Sequence, residues 1–548
     1  MLSDIEIAQQ TPVAPISKIA EKLGLSEDEF IPYGRDKAKV QLLKERNHKG
    51  RLILVTATSG MPAGSGKTTT SIALAQGLQK LGQTSCLALR EPSLGPSFGM
   101  KGGAAGGGYS QVVPMESINL HFTGDFHAIT AANNLLAALI DNARHQGQVD
   151  LKEVTWRRVL DVNDRMLRNI VDGLGGPANG IPTETGFDIT AASELMAILC
   201  LANDLEDLRA RINRLVVGIR RDGSAYTCGE LGATGALLAL LKDAMLPNLV
   251  QTLEGVPAFV HGGPFANIAH GCNSVAATKA ALTLAGWAIT EAGFGSDLGA
   301  EKFYDIKCRS AGLHPAATVL VTSLRALKWH GGVALPDIGQ PNPAALEKGM
   351  DNLRAHVKNL KDFGQQIVVA LNHFANDPED EVAAVRAECE KLGVLFAVSD
   401  GFAKGGEGAL DLARAVMQAA EKGSAPLNYI YQGDEELLDK IQAVNTRVYG
   451  GKDIQLSSAA QKDLAQLKRL GFDKLPVCIA KTPFSLSHEP DLKGAPKGFT
   501  LPVQRLILNA GAGFIVVTTG SIMRMPGLPK KPAAYGIDVV DGKITGLS

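Results

Sequence analysis

The segment Gly60-Met61-Pro62-Ala63-Gly64-Ser65-Gly66-Lys67-Thr68-Thr69-Thr70 holds the residues best suited to chemistry in this chain. An apolar run, Leu52-Ile53-Leu54-Val55-Thr56-Ala57, precedes it and a helical pattern follows, so successive backbone N–H groups can ring a phosphate at a helix N-terminus. In that setting Lys67 bridges the β- and γ-phosphates of ATP, and the Thr68 hydroxyl completes a Mg²⁺ shell with nucleotide oxygens. The strict G-x-x-x-x-G-K-[ST] form is broken once: Met61 stands where its first glycine would be, and Gly60 is the nearest substitute. A tight glycine turn with a solvated lysine is the competing reading, and the order strand, loop, Gly-Lys-Thr-Thr, helix argues against it. After the next apolar run, Cys86-Leu87-Ala88-Leu89, comes Arg90-Glu91-Pro92. An arginine at a carboxyl strand end suits a carboxylate or a transferring phosphoryl group, and a structural ion pair is its alternative.

The elements that must position these groups are legible as a β-loop-α-β unit. Leu74, Leu78 and Leu81 recur at helical spacing, Gly82 closes the helix, and residues 86–89 form the second strand. A second unit runs from strand Ile367-Val368-Val369-Ala370-Leu371 through a helix from Glu379 to Leu392 into strand Leu395-Phe396-Ala397-Val398. Late apolar runs, 506–508 and 514–517, suggest that this sheet continues almost to the end. Alternation of short strands with helices predicts an α/β fold with a parallel sheet. Residues 114–290 mix helical runs, such as 235–241, with glycine-rich loops, and 341–343 is the only linker-like segment.

Composition narrows the function classes. The chain has 548 residues, with 55 Lys+Arg against 56 Asp+Glu, so no basic excess exists to neutralise a nucleic acid backbone or an anionic membrane. Seven scattered cysteines without a C-x-x-C pair read as reduced thiols of a cytoplasmic protein. The N-terminus lacks the basic-then-apolar pattern of a signal peptide, and no apolar run has the length of a membrane span. Glycine is abundant, 60 residues, and clustered at Lys101-Gly102-Gly103-Ala104-Ala105-Gly106-Gly107-Gly108, where backbones approach a ligand or turn sharply.

Several strings together resemble the formate–tetrahydrofolate ligase family. They are residues 62–70 and 89–96, the long run Pro257-Ala258-Phe259-Val260-His261-Gly262-Gly263-Pro264-Phe265-Ala266-Asn267-Ile268-Ala269-His270-Gly271-Cys272-Asn273-Ser274, and the shorter 107–116, 291–295, 299–303 and 525–529. The resemblance spans essentially the whole chain, and the family's phosphate loop also lacks the first glycine. It implies an ATP-dependent ligase joining formate to N10 of tetrahydrofolate through formyl phosphate, with Lys67 and Arg90 holding the transferring phosphate and Glu91 beside them as organiser. It also implies a homotetramer, activation by K⁺ or NH₄⁺, and three α/β domains. These are a P-loop nucleotide domain from 1–113 and 295–351, a second domain from 114–294 completing the formyl phosphate site, and a third from 352–548 carrying a pterin slot.

Phe374 and Phe402 follow the strands at 367–371 and 395–398, so both rings emerge at carboxyl strand ends, where they can stack on a bicyclic ring. By resemblance an aromatic pair at these positions sandwiches the pterin. Phe402 departs from the family, where a tryptophan stands. Two ordinary core phenylalanines are the plain alternative, which the following Lys404-Gly405-Gly406-Glu407-Gly408 weakens because such a run is hard to justify as core. His261, His270 and Cys272 match no standard zinc spacing, and loop-shaping hydrogen bonds are expected of the histidines instead. His121 and His127 either position substrate or are polar loop residues, and Glu301 and Lys302 acquire no chemical role. From another class, the competitor is a P-loop nucleotide-switch ATPase acting on a protein partner.

Overall fold

A computed structural model describes residues 2–547 except 44–45, 47–49, 101–104, 424–425 and 521. The first half of the glycine cluster, Lys101 to Ala104, therefore lies outside the described residues.

The centre is a 12-stranded sheet. In chain order its main path uses β1 (Phe30–Pro32), β2 (Ala38–Val40), β3 (Arg51–Ala57), β4 (Ser85–Leu89), β5 (Asn248–Thr252), β6 (Pro257–Val260), β7 (Trp287–Glu291), β8 (Pro315–Thr322), β9 (Ile367–Asn372) and β10 (Leu395–Ser399). Across the sheet the order is β1-β2-β5-β6-β4-β7-β3-β8-β9-β10. From β6 to β10 every neighbouring pair is parallel, whereas β1, β2 and β5 form an antiparallel edge. Parallel strands are covered on both faces, which explains why β3 is buried from Leu52 onward.

Alternation along β3 sorts its side chains into two cores. Leu52 and Leu54 join Ala277, Ala281, Leu353 and Val357 on one face, while Ile53 and Val55 join Leu74, Leu78, Leu412 and Val416 on the other. The helices responsible are Val275–Leu284 and Pro343–Asp362 on the first face, and α1 (Lys67–Lys80) and Leu410–Glu421 on the second. A third core gathers α2 (Asp125–His145), the helix Glu194–Leu201 and Phe514.

Three expectations are corrected. The runs 506–508 and 514–517 are strands, but Arg505–Asn509 and Phe514–Thr518 pair with Val477–Ala480 in a separate three-stranded sheet and do not extend the main one. The segment 341–343 is no linker. Asn342 accepts from the Ala345 N–H and Pro343 occupies the first turn, so these residues start a 20-residue helix. In the Gly-Gly-Glu-Gly run the first two glycines are buried packing while Glu407 is exposed: the backbone of Gly406 lies against Gln76 and that of Ala409 against Gly77, an approach to α1 that side chains would block. The main sheet also crosses residue 352, because β9 and β10 continue it beyond β8.

Candidate active site

Because β6, β4, β7, β3, β8, β9 and β10 run parallel, their carboxyl ends share one edge, and the residues that follow them meet there. The loop expected to bind phosphate, residues 58–66, follows β3. Gly60 donates from its N–H to the Pro483 carbonyl and Gly64 to that of Met61. Gly64 and Gly66 have φ of 79° and 75°, and Gly66 caps the start of α1. A Cβ at Gly66 would collide with the Asn372 amide at the end of β9, so two constraints require glycine there. Met61 is 5% exposed and packs with Ala326, Trp329 and Ile338. An apolar anchor thus replaces the missing glycine, while Pro62, Ala63 and Gly64 form the exposed tip and Ser65 to Thr69 are half-buried.

Lys67 donates to the Ser65 hydroxyl at 3.1 Å. Thr68 donates from its hydroxyl to Glu291 Oε2 at 2.9 Å. Glu291 ends β7, which lies directly beside β3, and it is 1% exposed. Sequence reasoning quoted the string 291–295 without giving this carboxylate a role. An acid ending an apolar strand was the available signal. The following loop is strained at Phe294, whose φ is 60°. A Cβ on its neighbour Gly293 would come within 3.0 Å of the Arg90 guanidinium.

Arg90 and Glu91 follow β4. Arg90 is half-buried, and among the described residues its Nε has no hydrogen-bond partner. Glu91 is 6% exposed; its backbone N–H donates to the Gly262 carbonyl, and its Oε2 has no partner among the described residues. Burial pushes its carboxyl well above the ordinary range, the acids Asp125 and Asp161 push the same way, and Lys39 opposes them. Glu91 thus sits, its carboxyl raised by burial, directly beside the Arg90 cation in sequence.

His261, after β6, is shaped by hydrogen bonds to Ser274 Oγ and the Ala244 carbonyl, both 2.6 Å. Burial lowers its pKa to about 4, leaving it neutral. His270 differs from expectation: among the described residues neither ring nitrogen has a hydrogen-bond partner, and its ring packs edge-on to Phe514. Among the described residues no group of three or more His, Cys, Asp or Glu is arranged to hold a metal. His121 and His127 stack on each other, 5.2 Å between ring centres. Lys302 is buried on the Ala266 carbonyl, and among the described residues both carboxylate oxygens of buried Glu301 lack hydrogen-bond partners.

Phe374 and Phe402 stand at the same edge, after β9 and β10. Neither is core: Phe374 is half-buried and Phe402 is 42% exposed. The Arg325 guanidinium lies 3.9 Å from the Phe374 ring centre and covers one face of that ring. Phe402 rests on the glycine hairpin, with its carbonyl accepting from the Tyr109 N–H and its ring against Gly107. Flanking the two rings in sequence, His373 Nδ1 bonds Asp400 Oδ1 at 2.6 Å, and Lys404 donates to Asp400 Oδ2 at 3.0 Å. A cavity of about 430 Å³ lies apart from all these residues, lined by Trp156, Glu194, Leu506 and Arg524 among others.

The profile of the family described as Formate--tetrahydrofolate ligase matches residues 2–548. Similar proteins bearing that name include those of Parabacteroides distasonis, 55% identical, and of Hyphomonas neptunium and Bacteroides thetaiotaomicron, each 54% identical, every alignment covering 100% of both chains. Identity at that level over the full length, in a chain whose 60–70 loop, Arg90-Glu91 turn and two phenylalanine rings stand at one sheet edge, places it in a family: the chain belongs to the formate–tetrahydrofolate ligases.

Proposed function

We propose that the chain joins formate to N10 of tetrahydrofolate, giving 10-formyltetrahydrofolate, ADP and phosphate, and that formyl phosphate is the intermediate. A carboxylate is a poor acyl donor because its leaving group would be oxide. Transfer of the γ-phosphoryl group to a formate oxygen turns that oxygen into a phosphate leaving group, and N10 then displaces it at the formyl carbon. The observation carrying this reading is the meeting of Lys67, Thr68 with Glu291, and Arg90 with Glu91 at the carboxyl edge of one parallel sheet.

Lys67 and the loop N–H groups bind and orient the nucleotide phosphates, and Arg90 neutralises charge that grows on the transferring group. Glu91, its carboxyl pushed up by burial, organises the turn beside Arg90 where the carboxylate and acyl phosphate oxygens would lie. The paired oxygens of Thr68 and Glu291 fit a hard cation. Mg²⁺ held there with the nucleotide would supply charge neutralisation at the phosphates. Phe374 offers its uncovered face, and Phe402 its exposed ring, to the pterin. We retain the three-domain division as part of this reading, with the main sheet running across its boundary at 352, together with the homotetramer, and K⁺ or NH₄⁺ activation is carried by family resemblance alone. A nucleotide-switch ATPase would have no use for the Arg90-Glu91 turn or the ring pair.

The test is ADP release with each substrate omitted in turn. Release that requires formate, and product that requires tetrahydrofolate, is expected; brisk release with ATP alone contradicts the proposal.

A further inference from the structure

One buried histidine spans the gap between the two loops that bring Thr68 and Glu291 together. His356, on the helix Pro343–Asp362, is fully buried; its Nε2 lies 2.9 Å from Ser59 Oγ and its Nδ1 2.7 Å from Ser296 Oγ. Ser59 is at the root of the loop after β3, and Ser296 lies in the loop that follows Glu291 and β7. Burial lowers the His356 pKa to about 4, so its ring is neutral. A neutral imidazole donates through one nitrogen and accepts through the other, so it joins both hydroxyls without placing a charge between them.

The Ser59 end is held from several sides. One helical turn before His356, Asn352 accepts from the Ser59 N–H at 3.2 Å, and its amide donates to Ser59 Oγ at 3.0 Å and to the Gly494 carbonyl at 2.7 Å. His330 takes the remaining polar group of Ser59. Its Nδ1 accepts from the Gly494 N–H at 3.3 Å, so its Nε2 carries the proton and donates to the Ser59 carbonyl at 3.2 Å. The Ser296 end is different: among the described residues, His356 is the side chain that bonds its hydroxyl. The backbone just before it packs on the other loop, where a Cβ on Gly295 would come 3.1 Å from the Thr58 carbonyl and 3.4 Å from Ser59 Cα. Next to Gly295 stands Phe294 with its left-handed φ of 60°. Such strain persists only where the surroundings hold it, and the Ser296–His356 bond is one such hold.

We propose that His356 is a positioning residue for phosphoryl transfer: by bonding Ser59 and Ser296 at once it keeps the two loops in one register, and so keeps Glu291 against Thr68, where the nucleotide's metal would bind. A misplacement of about 1 Å in such a site can cost on the order of 10²-fold in rate, so loss of the bridge should show in turnover and in the response to Mg²⁺. Binding of the nucleotide without metal does not involve the Thr68–Glu291 pair and should be spared.

The inference rests on the ligase reading, and its test separates the two. Ser296→Ala removes the hydroxyl at the Glu291 end of the bridge, and His356→Gln replaces the ring by an amide too narrow to reach both serines. Each is made in the wild-type chain and on Glu291→Gln, and read by kcat for formate-dependent ADP release, by ATP affinity with and without Mg²⁺, and by circular dichroism. Each variant should lower kcat roughly tenfold and cut the tightening of ATP binding by Mg²⁺ at least about threefold, while ATP affinity without Mg²⁺ stays within about threefold. On Glu291→Gln the same change should cost less than about twofold in either readout, because the carboxylate it positions is gone. Losses that add on the Glu291→Gln background, or a lowered Tm with kcat and the Mg²⁺ response unchanged, would overturn the proposal. If one variant does not fold, the other decides; if neither folds, the bridge serves the fold and the proposal is overturned. Wild-type protein without formate-dependent release would end the ligase reading, and the cycle would then be read on ATP binding alone. Wild-type ATP binding that Mg²⁺ does not tighten would overturn the positioning role as well.

Discussion

Thr68 and Glu291 lie 223 residues apart in sequence and share a 2.9 Å hydrogen bond, the threonine hydroxyl donating to the carboxylate at the end of the neighbouring strand. This bond ties the start of α1 to β7 and puts an acid beside the hydroxyl expected to face the nucleotide's metal. Glu291→Gln keeps an acceptor for Thr68 and removes the charge. We expect kcat to fall on the order of 10²-fold with nucleotide affinity measured without Mg²⁺ unchanged. Equal activity of the variant across a Mg²⁺ titration would remove Glu291 from the site.

Lys67 begins α1, and its charge is dispensable for folding because the loop is held by the Gly60, Gly64 and Gly66 backbone and by Met61. Lys67→Ala should cost on the order of 10²-fold or more in phosphoryl transfer at unchanged circular dichroism. Near-normal turnover of a folded variant would contradict its assignment.

The two phenylalanines test the pterin slot separately from the phosphate loop. Phe402→Ala should weaken tetrahydrofolate binding roughly ten- to a hundredfold and spare ATP. Phe402→Trp should preserve or tighten it. Arg325 covers the rear of Phe374, so Arg325→Met should weaken folate roughly two- to tenfold by freeing that ring to turn. Titration of both ligands on each variant decides: equal losses for ATP and folate would mean damaged packing, and no folate loss would empty the slot.

Much of this was legible in the sequence, for reasons tied to particular residues. The unit from β3 through α1 to β4 is local, and its apolar periods and Gly82 fall within a few residues of the observed bounds. Partnerships between distant segments were not legible. Nothing in 505–509 or 514–518 tells which sheet those strands join, since the apolar pattern of a strand encodes burial and not its neighbour. Glu291 and Lys39 escaped for the same reason: their partners, Thr68 and Asp125, are chosen by strand order. The Gly405–Gly408 run looked functional because glycine marks close backbone approach, and here the approaching group is α1.

Glu194 gives a stability prediction with a definite sign. Its carboxyl, buried at the start of its helix and accepting from the Gly511 and Ala512 N–H groups, is raised by burial from 4.5 to about 7. Folding thus favours the protonated form. The contribution of this group is full below its unfolded pKa and is lost as pH rises through about 7. Glu194→Gln keeps the amide acceptor without the charge. We expect the Tm of the variant to gain on wild type between pH 5 and pH 8, on the order of a few degrees. A constant Tm difference across that window would contradict the raised pKa.

The central claim is that one site first phosphorylates formate and then transfers its formyl group. Formate labelled with ¹⁸O in both oxygens, turned over with ATP and tetrahydrofolate, tests it most directly by mass analysis of the released phosphate. One formate oxygen must leave as phosphate oxygen if formyl phosphate is formed at Lys67 and Arg90, so the account predicts one ¹⁸O per phosphate, with the other retained in the formyl group. Phosphate free of ¹⁸O from productive turnover would contradict it.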